Sequence, residues 1–324
     1  MEQPINILLA SNHRYPAETT VSCGKTTQAN PSGAVGRIHD LLARGLAESG
    51  HTVYYLLEQG ATEPLPPGVQ LVTAKNLPEV DICHNITSEK VPWVKTHHGF
   101  YGDRAPYPTG HSIFVSRALA QAHNYQRFVW NGLDPQDYIY STEKSDYLVF
   151  IGAMQGPNDS NKYHQKGLEV ALALCQKSGC RLIVAGTAVE AEVIKRIDEM
   201  CKAVGAQYIG DVRGQDKARL LAHAKGLLFP TQVNEGFGLV MAEALLSGTP
   251  VICSDLGACP ELVPSDTGFV CSTETDYLNA IEQIDTISAQ RCREVALERY
   301  HYRRMCADYV NEYQREIDRH KLNL

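Results

Sequence analysis

Short apolar runs alternate with amphipathic stretches along nearly the whole chain, which predicts parallel strands joined by helical crossovers. The first run, Ile5-Asn6-Ile7-Leu8-Leu9-Ala10-Ser11, reads as a buried strand. A polar segment with Gly24, Gly33 and Gly36 follows it. From about Val35 to Glu48 the apolar positions Ile38, Leu41, Leu42 and Leu46 then keep a helical period. Gly50 ends that helix, and His51-Thr52-Val53-Tyr54-Tyr55-Leu56-Leu57 is the next strand. Such a β-loop-α-β unit opens a doubly wound sheet. Short strands are predicted at 70–72, 81–83, 93–96 and 112–115. The second half is more regular, with strands at 147–151, 181–185, 207–209, 226–229 and 251–254. Helices are predicted between them at 167–177, 189–203 and 216–225, and a charged helical tail from Ser288 to about His320.

Between the strands at 226–229 and 251–254 lies the most informative stretch, Asn234-Glu235-Gly236-Phe237-Gly238-Leu239-Val240-Met241-Ala242-Glu243. Its helix ends at Gly248, and Pro250 prevents continuation. On one straight helix two residues eight apart would sit about 80° from each other. The glycines instead put Glu235 in the loop before the helix and Glu243 within its first turns, both facing a pocket at the helix start. A helix N-terminus offers unpaired N–H groups and a positive dipole end that attract phosphate. Gly236 and Gly238 allow close backbone approach, and carboxylates accept hydrogen bonds from hydroxyl pairs. Phosphate flanked by two polyhydroxyl groups describes a nucleotide-sugar. The plain alternative is a helix with acidic residues near its positive end.

At 324 residues the chain suits two domains, and its 44% hydrophobic content is ordinary for a globular protein. A net charge of −7 argues against a nucleic-acid binder. No run approaches the roughly 18 apolar residues of a membrane span, and the start lacks a signal-peptide pattern. A cytoplasmic location follows as the expectation, with peripheral membrane contact left open. The ten cysteines are scattered without a C-x-x-C motif or zinc spacing, so free thiols and no metal site are expected.

Glu235, Gly236-Phe237-Gly238 and Glu243, with Gly248-Thr249-Pro250-Val251-Ile252 and Pro260-Glu261-Leu262-Val263, resemble the donor-site signature of glycosyltransferase family 4. Further likenesses are Val129-Trp130-Asn131-Gly132-Leu133-Asp134 to the family's interdomain segment, and Phe150-Ile151-Gly152 with Lys166-Gly167-Leu168 to the opening of its second domain. Thr96-His97-His98-Gly99 is similar to its histidine loop. The resemblance implies an α/β GT-B fold, two doubly wound Rossmann-like domains about a central cleft. The expected division is residues 1–140, with a last helix from about 303 to 324 packing back on them, and 141–302. It also implies a retaining, metal-independent hexosyltransferase that needs no cofactor. Such an enzyme uses a UDP-sugar or GDP-sugar and a glycan, lipid-linked or small-molecule acceptor. Rival readings are a non-catalytic nucleotide-sugar or glycan binder, and a GT-B epimerase or phosphorylase.

By the same resemblance Glu243 binds the ribose, and Lys166 with the amides near Gly238 and Leu239 holds the diphosphate. Glu235 holds sugar hydroxyls near the reacting carbon, and His98, the other expected catalytic residue, bonds a sugar hydroxyl. Phe237, Gly152, Gly33, Gly36 and Glu261 complete the expected donor site. His98, directly before Gly99, fits the pattern better than His97, and His84 reads as structural. One departure stands out: the family carries an arginine after the glycine of the strand, and here Ala153 and Met154 follow Gly152. Lys162, His164 and Arg213 are candidate substitutes.

Overall fold

The computed structural model describes residues 3–17, 33–99, 108–155 and 162–322. The chain divides into two compact units, one of Met1–Asp134 with Arg299–Leu324 and one of Pro135–Glu298. These breaks fall earlier than the 140/141 and 302/303 read from the sequence, and the hydrogen bonds show why. Lys144 Nζ donates to the carbonyl of Ala222 at 2.8 Å and to Thr249 Oγ1 at 2.9 Å. Ser145 N–H donates to the carbonyl of His223 at 2.7 Å, so the polar run before the first strand of the second unit is fastened to that unit. Tyr300, in turn, accepts at 2.7 Å from Leu133 N–H in the first unit.

The first unit begins with β1 (Asn6–Ser11), α1 (Gly33–Glu48), β2 (Thr52–Leu57), β3 (Val69–Val72) and β4 (Ile82–His84). It continues with β5 (Trp93–His97), β6 (Ser112–Phe114) and α2 (Arg117–Ala122). Its six strands are ordered β3-β2-β1-β4-β5-β6, all parallel. The second unit contains β7 (Leu148–Ile151), α3 (Lys162–Lys166), α4 (Leu168–Ser178), β8 (Leu182–Ala185) and α5 (Ala191–Ala203). There follow β9 (Gln207–Tyr208), α6 (Gly214–His223), β10 (Gly226–Phe229), α7 (Leu239–Leu246) and β11 (Val251–Ser254). The last elements are α8 (Cys259–Leu262), β12 (Gly268–Cys271), α9 (Glu274–Gln283) and α10 (Ala289–Tyr300). Its parallel sheet runs β12-β11-β10-β7-β8-β9. Helices on both faces explain why β7, β8, β10 and β11 are buried at every position and apolar apart from Ser254. Two elements absent from the sequence reading, β12 and α9, are joined by a capping box of Thr273 and Asp276.

The final helix, α11 (Tyr302–Leu322), belongs to the first unit and packs on α1. Gly45 makes this contact possible, since a Cβ there would lie 2.4 Å from Cys306 Sγ. Tyr309 and Tyr313 of α11 are buried, and each hydroxyl has a partner: Thr96 Oγ1 at 2.9 Å and His84 Nδ1 at 2.6 Å. Arg127 pairs with Glu312 at 2.7 Å and with buried Glu316. The nine cysteines among the described residues are free, and all but Cys180 are buried.

Candidate functional site

A doubly wound sheet forms its crevice where the winding direction reverses, beyond the carboxyl ends of the two strands at that point. In the second unit the reversal falls between β7 and β10. The segments leaving those strands carry Lys166 and Glu235. Lys166 Nζ lies 2.6 Å from Glu235 Oε2, the side chains being 19% and 17% exposed. Lys166 ends α3 and is followed by Gly167 in the left-handed region at φ 78. A Cβ on Gly167 would sit 1.8 Å from the carbonyl oxygen of Pro230, so glycine lets this turn press on the exit of β10. Gln232 N–H donates to the carbonyl of Gln165 at 2.9 Å and joins the two segments.

Glu235 is gripped from the other side. Ala258 N–H donates to its carbonyl at 2.9 Å, and a Cβ on Gly257 would lie 2.4 Å from both its nitrogen and its oxygen. Gly238, at φ 81, caps the start of α7, and a Cβ there would come 3.2 Å from Glu235 Cγ. Phe237 and Gly236 are buried, while Leu239 is partly exposed as the first residue of the helix. The first N–H groups of α7 have no intrahelical acceptor. The arrangement therefore offers a lysine, a carboxylate and a helix start in one small region, the parts an anionic polyhydroxyl ligand requires.

Glu243 lies differently from the open pocket residue read from the sequence. It is 1% exposed, pairs with Lys217 of α6, and accepts a hydrogen bond from the Tyr138 hydroxyl at 3.1 Å. Position five of an eight-residue helix that is buried nearly all round points it toward α6. Sequence reasoning missed Lys217 and Tyr138, because no spacing rule links positions that far from 243. Gly152 follows β7 beside Lys166; a Cβ there would stand 3.4 Å from Lys166 Cβ, an ordinary contact. Glu261 is half-buried in the four-residue α8. Among the candidate substitutes for the arginine, His164 pairs with Glu169 and Arg213 with Asp211 at 2.6 Å. Lys162 opens α3 one turn before Lys166, on the same helical face.

The first unit reverses between β1 and β4, and histidines gather at that point. Ser11 ends β1, and its Oγ lies 2.7 Å from both His13 Nδ1 and His39 Nδ1. His13 Nε2 is 2.8 Å from Asp40 Oδ1, which also accepts from the Tyr55 hydroxyl at 2.8 Å. His84, at the end of β4, has both ring nitrogens engaged, by Tyr313 and Thr96. Burial and the neighbouring His98 push the His84 imidazole down to about 3. Burial and then His97 hold His98 at about 4, and burial holds His39 well below its ordinary value. His97 is a core residue, stacked on Phe114 at 5.0 Å with Nε2 2.9 Å from Ser112 Oγ. His98 directly follows β5, and its buried Nε2 has no hydrogen-bond partner among the described residues. Gly36 lies inside α1, where a Cβ would come 2.9 Å from the His13 ring; its missing side chain admits His13. Gly33 is the first residue of α1. His13 and His39 escaped the sequence reading, although His13 sits just past a strand end, where such residues gather.

Residues 145–286, essentially the second unit, match the family described as Glycosyl transferases group 1. Over this segment the chain is similar to that family. The group 1 segment covers β7 to α9 and so contains Lys166, Glu235 and Glu243. The chain is 24% identical over 278 residues to a phosphatidyl-myo-inositol mannosyltransferase of Mycolicibacterium smegmatis, covering 77% of this chain and 67% of that one. It is 24% identical over 153 residues to an uncharacterized glycosyltransferase of Methanocaldococcus jannaschii, covering 42% of this chain and 38% of that one. With an O-antigen chain mannosyltransferase of Salmonella typhimurium it shares 22% over 187 residues, 54% of this chain and half of that one. The chain thus spans half or less of the length of several curated relatives that it matches. Among solved structures it is similar to a glycosyltransferase involved in avilamycin A biosynthesis, with TM-score 0.73, 25% identity, and coverage of 97% of this chain and 98% of that one. The fold is of the GT-B type. No helix among the described residues is long and apolar enough to cross a membrane.

Proposed function

We propose that this protein is a retaining, metal-independent glycosyltransferase that moves a hexose from a nucleotide-diphosphate sugar to a hydroxyl acceptor. The Lys166–Glu235 pair at the winding reversal beside the start of α7 carries this reading. An incoming diphosphate draws Lys166 away from Glu235, and the released carboxylate takes up sugar hydroxyls. Lys166 and the α7 amides then meet the charge that grows on the leaving phosphate as the bond to the anomeric carbon breaks. The acceptor oxygen bonds to that carbon on the same face, and its proton passes to the departing phosphate oxygen. A lysine provides the counter-charge, so no metal is required. Glu243, with Tyr138 and Lys217 already around it, offers the ribose a fixed rather than a free carboxylate. His98 meets a hydroxyl of the sugar or acceptor. The mannosyltransferase relatives support a hexose.

The test combines two measurements on the whole chain. UDP or GDP with chelator present is expected to raise the melting temperature, because a ligand that binds only the folded state stabilises it. Glu235→Gln is expected to fold normally and lose sugar transfer. Unchanged turnover in that variant sinks the assignment. The replacement of the family's arginine by Ala153 favours a second reading, a nucleotide-sugar binder without turnover. Nucleotide binding with neither transfer nor donor hydrolysis would select it.

A further inference from the structure

We infer that Ser11 is a positioning residue: by linking the Asp40–His13 pair to His39, it fixes the ring against which His98 rests. This deepens the acceptor-side role proposed above and rests on that reading. These residues belong to a largely buried hydrogen-bonded chain that one set of protons can satisfy. Asp40 is a pure acceptor and takes three donors: His13 Nε2–H at 2.8 Å, the Tyr55 hydroxyl at 2.8 Å and Ala17 N–H at 2.7 Å. His13 therefore carries a proton on Nε2, and with the ring singly protonated its Nδ1 accepts from the Ser11 hydroxyl at 2.7 Å. Ser11 Oγ has then given its only proton, so at 2.7 Å it must accept from His39 Nδ1–H. His39 Nε2 is left bare and accepts from Asn85 Nδ2 at 3.2 Å. Asn85 is oriented in turn, because its Oδ1 accepts from Thr96 N–H at 2.9 Å. With both rings singly protonated, the carboxylate at one end and the Thr96 amide at the other set the direction.

The chain matters through its neighbour. The His39 ring meets the His98 ring edge-on, with centroids 5.4 Å apart. His98 Nε2 is the buried nitrogen in this cluster without a partner among the described residues. A catalytic imidazole needs a second group to set its orientation, and ring packing by a tautomer-locked neighbour supplies that here. Ser11 is the weak point. It is one hydroxyl, at the end of β1, joining two imidazoles that would otherwise present nitrogens to each other with nothing between them. Gly36 shows that the fold makes room for this arrangement, since a side chain there would push His13 out of line.

Two experiments on the full chain test the inference. Ring-nitrogen NMR of the wild type is expected to show the His13 proton on Nε2 and the His39 proton on Nδ1. The opposite tautomer at either ring overturns the chain whether or not the protein has transferase activity. Ser11→Ala, which removes one oxygen and leaves the backbone alone, is expected to scramble the His39 signature. It should also lower kcat on the order of tenfold to a hundredfold, as a displaced reacting geometry does. UDP-induced stabilisation and donor KM should stay at wild-type values. A Ser11→Ala enzyme with normal kcat refutes the positioning role. A wild type with the stated tautomers but no transfer activity refutes the transferase reading instead.

Discussion

Replacing Gly167 by alanine tests whether the turn after Lys166 is what holds the second unit's crevice together. Two costs can be separated. At φ 78 any residue with a Cβ loses about 1–2 kcal/mol relative to its right-handed conformation. The added carbon would also lie 1.8 Å from the carbonyl oxygen of Pro230, which is backbone and cannot rotate away. Forcing a group into a packed site costs about 1–3 kcal/mol more. Gly179, which caps the other end of the same helix, is the matched control: its φ is 69, yet nothing lies within 4 Å of its would-be Cβ. Gly179→Ala should thus lose about 1–2 kcal/mol and Gly167→Ala about 2–5 kcal/mol. For a unit of this size each kcal/mol lowers the melting temperature by about 2–4 °C. Calorimetry of the full chain reads that difference, and a thermal-shift titration with UDP or GDP reads the consequence for the site. Relieving the clash moves α3 away from β10 and Lys166 away from Glu235, so Gly167→Ala should lose the nucleotide's stabilising effect while Gly179→Ala keeps it. Equal destabilisation of the two variants, with binding intact in both, would show that the contact with Pro230 does not organise the crevice.

Three further outcomes follow from the geometry. Glu243→Gln leaves Lys217, whose side chain is 23% exposed, facing no charge and should cost about 1.5–3 kcal/mol in urea unfolding. Adding Lys217→Met should recover much of that loss, and a purely additive double mutant would mean the two do not interact. Lys162→Met should weaken UDP binding about tenfold in calorimetric titration if Lys162 stands in for the family's arginine, and leave it unchanged otherwise. Acid should destabilise the first unit through its histidines. His84, His97 and His98 stay neutral in the folded state down to about 3, 4 and 4, whereas in the unfolded chain they take up protons near 6.5. Between pH 6.5 and about 4 the unfolded state binds more protons, so stability must fall as pH falls, by up to roughly 1.4 kcal/mol per unit for each such histidine. A flat stability profile over that window would show that these rings are solvated.

What could be read from the sequence was what local physics determines. The strands β7, β8, β10 and β11 showed as unbroken apolar runs because both of their faces are covered. Helix α7 is apolar all round and has no useful period, but Gly238 and Gly248, both at positive φ, marked its ends. Lys166 was singled out by its resemblance to the family's pattern, and Glu235 by the glycines around it together with that resemblance. Their direct pairing could not be foreseen, since it depends on Gly167 closing against Pro230. The Tyr138–Glu243–Lys217 group and the Ser11–His13–His39–Asp40 chain were illegible for the same reason. Each joins residues from different crossovers, and nothing in the linear spacing of a histidine reveals which hydroxyl will lie beside it.

The two winding reversals differ in their electrostatics, and on the proposed function this would divide the chemical work between the units. In the second unit the polar groups are an ion pair that stands partly open, whose lysine can change partners when a phosphate arrives. A lysine held by a carboxylate costs less to release toward a second anion than one buried alone, because charge is exchanged and not stripped of solvent. In the first unit the one carboxylate of the histidine cluster is saturated by three donors, and burial keeps His39, His84 and His98 uncharged. Neutral imidazoles serve a hydroxyl well and a phosphate poorly. The proposed transfer, which expels a diphosphate and takes in an alcohol, calls for one site of each kind. If charge reversal at Lys166 abolished nucleotide binding while Asp40→Asn changed only the response to acceptor, that division would be the working principle of the chain; matching effects of both on nucleotide binding would refute it.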